Sequence, residues 1–118
     1  LASKNRLKKK INFARIEIDG TMHQSRSFGM GVYDRKDADP SCFGFIISTK
    51  ISKKAVIRNR IKRIMADTVR LNLNNIKAGL DVLFLIKPSA TKLDKDTLEK
   101  ETYAAITKNI QINAITNS

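Results

Sequence analysis

The stretch Lys53-Lys54-Ala55-Val56-Ile57-Arg58-Asn59-Arg60-Ile61-Lys62-Arg63 lies between two apolar runs, Cys42 to Ser48 and Asp81 to Lys87. Ile57, Ile61, Ile64, Thr68 and Leu71 recur at helical spacing, so a helix is expected from about Lys53 to Leu73. The flanking runs are almost continuously apolar, the pattern of strands buried on both faces. A strand, a long helix and a second strand imply a parallel pair joined by a crossover.

The same eleven residues carry six cations and no acid. Arg58 and Lys62 flank the apolar face of the expected helix, while Asn59, Arg63 and Arg70 point away from it. A surface helix usually intersperses acids, because like charges at i,i+4 repel. Here the repulsion is left standing, which fits a polyanion that supplies the missing charge. A rigid cationic ridge backed by a core is a device for facing RNA or DNA.

Outward from that helix, residues 1–10 hold Lys4, Arg6, Lys8, Lys9 and Lys10 with no acid and read as a flexible basic arm. A single domain is expected over residues 11–118. Apolar residues at 11, 14 and 18, with Phe13 and Ile16 alongside, predict a short helix that Gly20 ends, as a left-handed glycine would. Ser27 to Tyr33 alternates and reads as a strand, Asp34 to Ser41 as a turn, and Pro88 ends the second buried strand. Asp94 to Ile110 reads as a last helix, with Asp94 or Asp96 as its start signal. The expected fold is a single α/β sandwich in the order helix, strands, long helix, strand, helix.

The 118 residues include 23 Lys+Arg against 11 Asp+Glu, a net charge of +12. Residues 1–66 carry net +11 and residues 67–118 net +1, so the basic half is the binding half. An apolar content of 42% suffices for one core at this length. The lone cysteine, Cys42, allows no internal disulfide, consistent with a reducing cytoplasm, and reads as a small hydrophobe. No apolar run approaches the roughly 18–20 residues that span a bilayer, so no membrane partner is expected. The acids are scattered and His23 is the only histidine, so the paired groups of a nuclease are missing and the chain alone is expected to be catalytically inert.

Arg58-Asn59-Arg60, within its setting from Ala55 to Arg63, closely resembles the arginine-asparagine-arginine motif of the bacterial ribonuclease P protein subunit family. Other blocks resemble it in order: Asn5-Arg6-Leu7-Lys8-Lys9 with Phe13 and Gly20, Phe28, Gly44-Phe45-Ile46-Ile47-Ser48, and Asp81 with Lys87-Pro88-Ser89-Ala90 and Leu93. The resemblance covers roughly residues 5–107.

What the resemblance implies is a two-layer α/β sandwich with a left-handed crossover, similar to a domain of a small-subunit ribosomal protein. It also implies a subunit that joins a large catalytic RNA, ribonuclease P RNA, in removing the 5′ leader of precursor tRNA in the cytoplasm. The chemistry would be phosphodiester hydrolysis by a water activated by Mg2+, an ion held mainly through the RNA. Carried over residue by residue, Lys53, Lys54, Arg60 and Arg63 would meet phosphates of the catalytic RNA, with Arg58, Asn59 and Lys62 completing the RNA-binding set. Phe13, Tyr33, Arg58 and Lys62 would form the cleft for the single-stranded leader, where base stacking on an aromatic tolerates any sequence. The chain departs from the family pattern at Glu17, Gly31 and Ala66. Tyr33 would fill the side that Gly31 leaves empty, and a weaker grip on the leader is expected.

Bland readings stand beside these. Phe13 reads equally as a core aromatic, and Asn59 as a local hydrogen bonder. Phe28, Phe43, Phe45 and Phe84 read as core. Two further function classes compete: a non-catalytic, ribosomal-type RNA-binding protein, and a DNA-binding domain with the basic helix in a groove. Cations ring much of the helix, and no zipper or helix-turn-helix spacing accompanies it, which counts against DNA as partner.

Overall fold

In the computed structural model, which describes residues 1–112, the chain runs α1 (Lys10–Asp19), β1 (Thr21–Gln24), β2 (Phe28–Asp34), β3 (Cys42–Ile46), α2 (Ala55–Leu71), β4 (Leu80–Ile86) and α3 (Lys95–Asn109). The end of the expected domain, 113–118, lies outside the described residues. The four strands form one sheet in the order β1-β2-β4-β3. β2 is antiparallel to both β1 and β4, and β3 pairs in parallel with β4, so α2 is the expected crossover.

Strand alternation separates the two faces of the sheet. Phe28 and Met30 of β2, Phe43 of β3, and Val82, Phe84 and Ile86 of β4 pack with Ile61, Met65 and Val69 of α2 and Leu98 and Ile106 of α3. Phe84 is the hub: Phe28 meets it edge-on at 5.5 Å between centroids, and Phe45 stacks on it at 5.1 Å. Phe45 is only partly buried, whereas Phe28, Phe43 and Phe84 are core as expected. On the opposite face, Gly29, Gly31 and Gly44 share the surface with Leu83 and Leu85, and α1 lies across it. Among the described residues no helix is long and apolar enough to cross a membrane.

Local chemistry sets the ends of the elements. Asp94 caps α3, its side chain accepting from Thr97 N at 2.8 Å. Gly79 takes a left-handed φ of +81° between α2 and β4, and a Cβ there would stand 2.3 Å from Asp37 O. Gly20 does end α1, but its backbone is extended (φ −81°), so left-handed freedom is not the reason. A Cβ on Gly20 would lie 2.4 Å from Ile16 O and 2.9 Å from Val32 O, and that close approach is what requires glycine.

Other features also differ from the sequence reading or were not visible in it. Residues 1–10 are not a detached arm: Ser3–Asn5 form a 3-10 turn, Asn5 Nδ2 donates to Ser41 O at 2.9 Å, and Leu7 is buried with its N–H bonded to Phe43 O. Leu7 supplies an apolar anchor that the surrounding lysines mask in the sequence. On α1, Ile11 and Ile18 are 70% and 78% exposed, and Ile16 is the residue fully buried. On α2, Leu71 is 72% exposed, because the buried stripe runs through Ile61, Ile64, Met65, Thr68 and Val69 and leaves the helix end turned outward. Strand β1 was not foreseen: its four residues, Thr21-Met22-His23-Gln24, form an edge strand with no buried face to leave an alternating pattern.

Candidate nucleic-acid interface

α2 begins without a side-chain cap and without an acid in its first turn. The exposed N–H groups of a helix start favour negative charge, and Lys53 and Lys54 stand exposed beside them. Among the described residues the ion pairs recruit Arg15, Arg35, Arg70, Lys77 and Lys95. None of Lys53, Lys54, Arg58, Arg60, Lys62 or Arg63 is paired with an acid, so the ridge keeps its field for a partner.

Beside the ridge runs an open groove of about 710 Å³. Its floor is apolar: Phe13 from α1, Gly44, Phe45 and Ile46 from β3, and Leu7 from the N-terminal segment. Its walls carry Asn59, Lys62 and Arg63 from α2, and Arg6 from the facing side. No acid lines it. The floor exists because β3 turns Gly44 and Ile46 toward this face, and the bare Gly44 lets the Phe13 ring lie on the sheet. Apolar and aromatic surface between cations is suited to a single-stranded nucleic acid, with bases below and phosphates at the rim.

The expected cleft residues divide. Phe13 and Lys62 line the groove together. Arg58 does not; it is half-buried, and its Nη1 donates to Ser52 O at 2.7 Å, bracing the loop before α2. Tyr33 does not either. It shares the sheet face of Gly44, but its ring lies under the Arg15 guanidinium, 4.6 Å from ring centroid to Cζ. The side that Gly31 leaves free is already filled, since a Cβ there would lie 2.7 Å from Ile16 Cγ2 and 2.9 Å from Met22 Sδ. Glu17 is exposed and off the groove, whereas Ala66 lines it.

Of the residues expected at RNA phosphates, Lys53, Lys54 and Arg63 are exposed and Arg60 is half-buried. Arg60 faces α3: after the Thr97 hydrogen bonds, its charge is one of those holding the Asp94 carboxyl below its ordinary range. Asn59 and Arg63 are exposed and point away from the core face, as expected, and there they form the groove wall. Arg6, Leu7 and Ile46 were not foreseen as groove residues. Alternation from Cys42 through Gly44 puts Ile46 on that face, and this signal was available in the sequence.

The sequence profile of the Ribonuclease P family matches residues 1–109. The ribonuclease P protein component of Synechocystis is 36% identical over 83 residues, covering 70% of this chain and 67% of that protein. Its counterpart from Dictyoglomus turgidum is 37% identical over 83 residues, covering 70% and 68%. Among solved structures, the Staphylococcus aureus RNase P protein superposes with a TM-score of 0.80 at 25% identity, covering 88% of this chain and 93% of that one. The Thermotoga maritima RNase P protein, solved with 1-(4-fluorophenyl)-2-thiourea, gives a TM-score of 0.79 at 22% identity, covering 87% and 98%, a likeness of fold. Family profile, relatives and architecture agree, and the chain belongs to the ribonuclease P protein family.

Proposed function

We propose that this chain is the accessory protein of a bacterial ribonuclease P, and that it binds both the catalytic RNA and the 5′ leader of precursor tRNA. The ridge of Lys53, Lys54, Arg60 and Arg63 neutralises phosphates of the RNA subunit, and the groove beside it receives the single-stranded leader. Phe13 offers a face for a base, Phe45 and Ile46 complete the apolar floor, and Arg6, Lys62 and Arg63 hold phosphates at the rim. Asn59, with donors and an acceptor, orients between the two. Hydrolysis belongs to the RNA. Among the described residues no three His, Cys, Asp or Glu side chains converge on a metal position. Mg2+ would be held mainly through RNA phosphates and would supply the activated water.

The observation that carries this reading is the groove itself, an aromatic floor walled by cations and free of acids. The direct test compares the affinity of the reconstituted holoenzyme for precursor tRNA with and without a leader of several nucleotides. The leader should tighten binding, and Phe13→Ala should remove most of that gain while leaving the affinity for the RNA subunit intact. A leader gain indifferent to Phe13, Lys62 and Arg63 would place the leader elsewhere.

A further inference from the structure

Helix α1 meets the sheet with the less apolar of its two faces. Ile11, Ala14 and Ile18 form its most apolar stripe, yet all three are exposed. The face turned to the sheet carries Asn12, Phe13, Arg15 and Ile16, of which only Ile16 is fully buried. Apolar burial alone favours turning the helix to cover Ile11 and Ile18, since stability follows the apolar area removed from water. Something other than hydrophobicity holds it.

The holding group is Asp81 at the start of β4, 1% exposed. Its Oδ2 accepts from Arg15 Nη2 at 3.0 Å, and its Oδ1 accepts from Arg35 Nη1. Arg15 also donates to Asn12 Oδ1 at 3.2 Å and lies over the Tyr33 ring. A buried carboxylate stripped of one of its two guanidinium partners loses a charge-assisted hydrogen bond that the remaining partner, Arg35, does not replace, which is unfavourable. Turning α1 would strip it. At about 100° per residue, the Ile11–Ala14–Ile18 stripe lies roughly 100–160° around the helix from Phe13. A turn that buried the stripe would therefore lift Phe13 off Gly44 and out of the groove.

We propose that Asp81 is a positioning residue which, through Arg15, sets the rotation of α1 and so holds Phe13 in the groove. The proposal rests on the reading of that groove as the leader site. Asp81 itself does not line the groove and touches no substrate. Its influence passes along about half a turn of helix, from the Arg15 guanidinium to the aromatic ring.

The test uses Asp81→Asn, Arg15→Gln, Arg15→Lys and Phe13→Ala, with two readouts. In the holoenzyme reconstituted with a bacterial ribonuclease P RNA, the leader-dependent gain in precursor affinity is measured. In the full chain, hydrogen exchange is followed along residues 12–19. Arg15→Gln and Asp81→Asn should cut the leader gain about tenfold, as Phe13→Ala does, with affinity for the RNA subunit unchanged. Amides of α1 should exchange at least tenfold faster while those of α2 and α3 keep their protection. Arg15→Lys, which keeps the charge without the planar fork, should restore the gain to within about threefold. Should Asp81→Asn fail to fold, Arg15→Gln decides the matter, because Arg35 still pairs with Asp81 there. Unchanged exchange in α1 and an intact leader gain in Arg15→Gln would overturn the proposal. If Phe13→Ala itself leaves the gain intact, the groove reading fails instead, and α1 exchange still decides whether Asp81 positions the helix.

Discussion

The ring of Phe13 rests against Gly44 so closely that a Cβ on Gly44 would stand 3.2 Å from Phe13 Cε1. The same Cβ would lie 3.2 Å from Leu83 Cδ1 and 3.3 Å from Leu7 Cδ2, so the glycine is hemmed in on three sides. Gly44→Ala should cost about 1–3 kcal/mol in overpacking, offset by about 0.5–1 kcal/mol from a stiffer unfolded chain. Melting temperature should therefore fall, reflecting a net loss of up to about 2.5 kcal/mol, and leader affinity should fall because Phe13 and Leu7 must move. Gly44→Val should lower both. A Gly44→Val protein with unchanged melting temperature and leader affinity would show that the ring does not lie on this glycine.

The ridge makes binding to the RNA subunit an electrolyte-sensitive event. The logarithm of affinity should fall linearly with the logarithm of salt, by about 0.7–0.9 for each phosphate neutralised. Replacing Lys53 or Lys54 by Ala should reduce that slope by about 1 each. Titration calorimetry or filter binding across a salt series checks this. A slope untouched by both substitutions would remove them from the contact surface.

Arg60 and Arg63 both lie outside the core, one toward α3 and one on the groove wall. The double change to Ala should leave the fold intact, with each site shifting stability by no more than about 0.5 kcal/mol. Circular dichroism of the double variant reads the outcome directly, and an unfolded product would mean that the orientation of α2 is wrong.

Three carboxylates give the domain an acid limb. Asp34 is held below its ordinary value by hydrogen bonds from Lys77 and the Lys36 N–H, Asp37 by Arg35, and Asp94 by Thr97. In each the folded value lies below the unfolded one, so the unfolded chain takes up protons first on acidification. The stabilisation is complete above the unfolded carboxylate range near about pH 4, and it drains away as pH falls through the lower folded values. Melting temperature should hold from neutrality to about pH 5 and then decline. Asp34→Asn should make the decline shallower. A melting curve that stayed flat through pH 3 would contradict these contacts.

Much of the architecture was legible from pattern alone. The β3–α2–β4 unit is visible in two apolar runs around a helical repeat, and the start of α3 in the acids Asp94 and Asp96, of which Asp94 is the cap. The groove was harder to read, because its parts come from four places in the chain. Phe13 and Lys62 follow from local sequence, but Leu7 hides among lysines, and Phe45 looked like core until its stacking on Phe84 left one side open. The rotation of α1 does not follow from periodicity, because an ion pair 66 residues distant in sequence outweighs the apolar stripe of Ile11, Ala14 and Ile18. Helical spacing likewise groups Leu71 with the buried stripe of α2, although it is 72% exposed.

The most direct trial of the account adds the purified chain to a bacterial ribonuclease P RNA and precursor tRNA at low magnesium. Cleavage at the mature 5′ end should rise well above that of the RNA alone, and the isolated protein should cut nothing. No stimulation of the RNA, or 5′ cleavage by the polypeptide unaided, would contradict it.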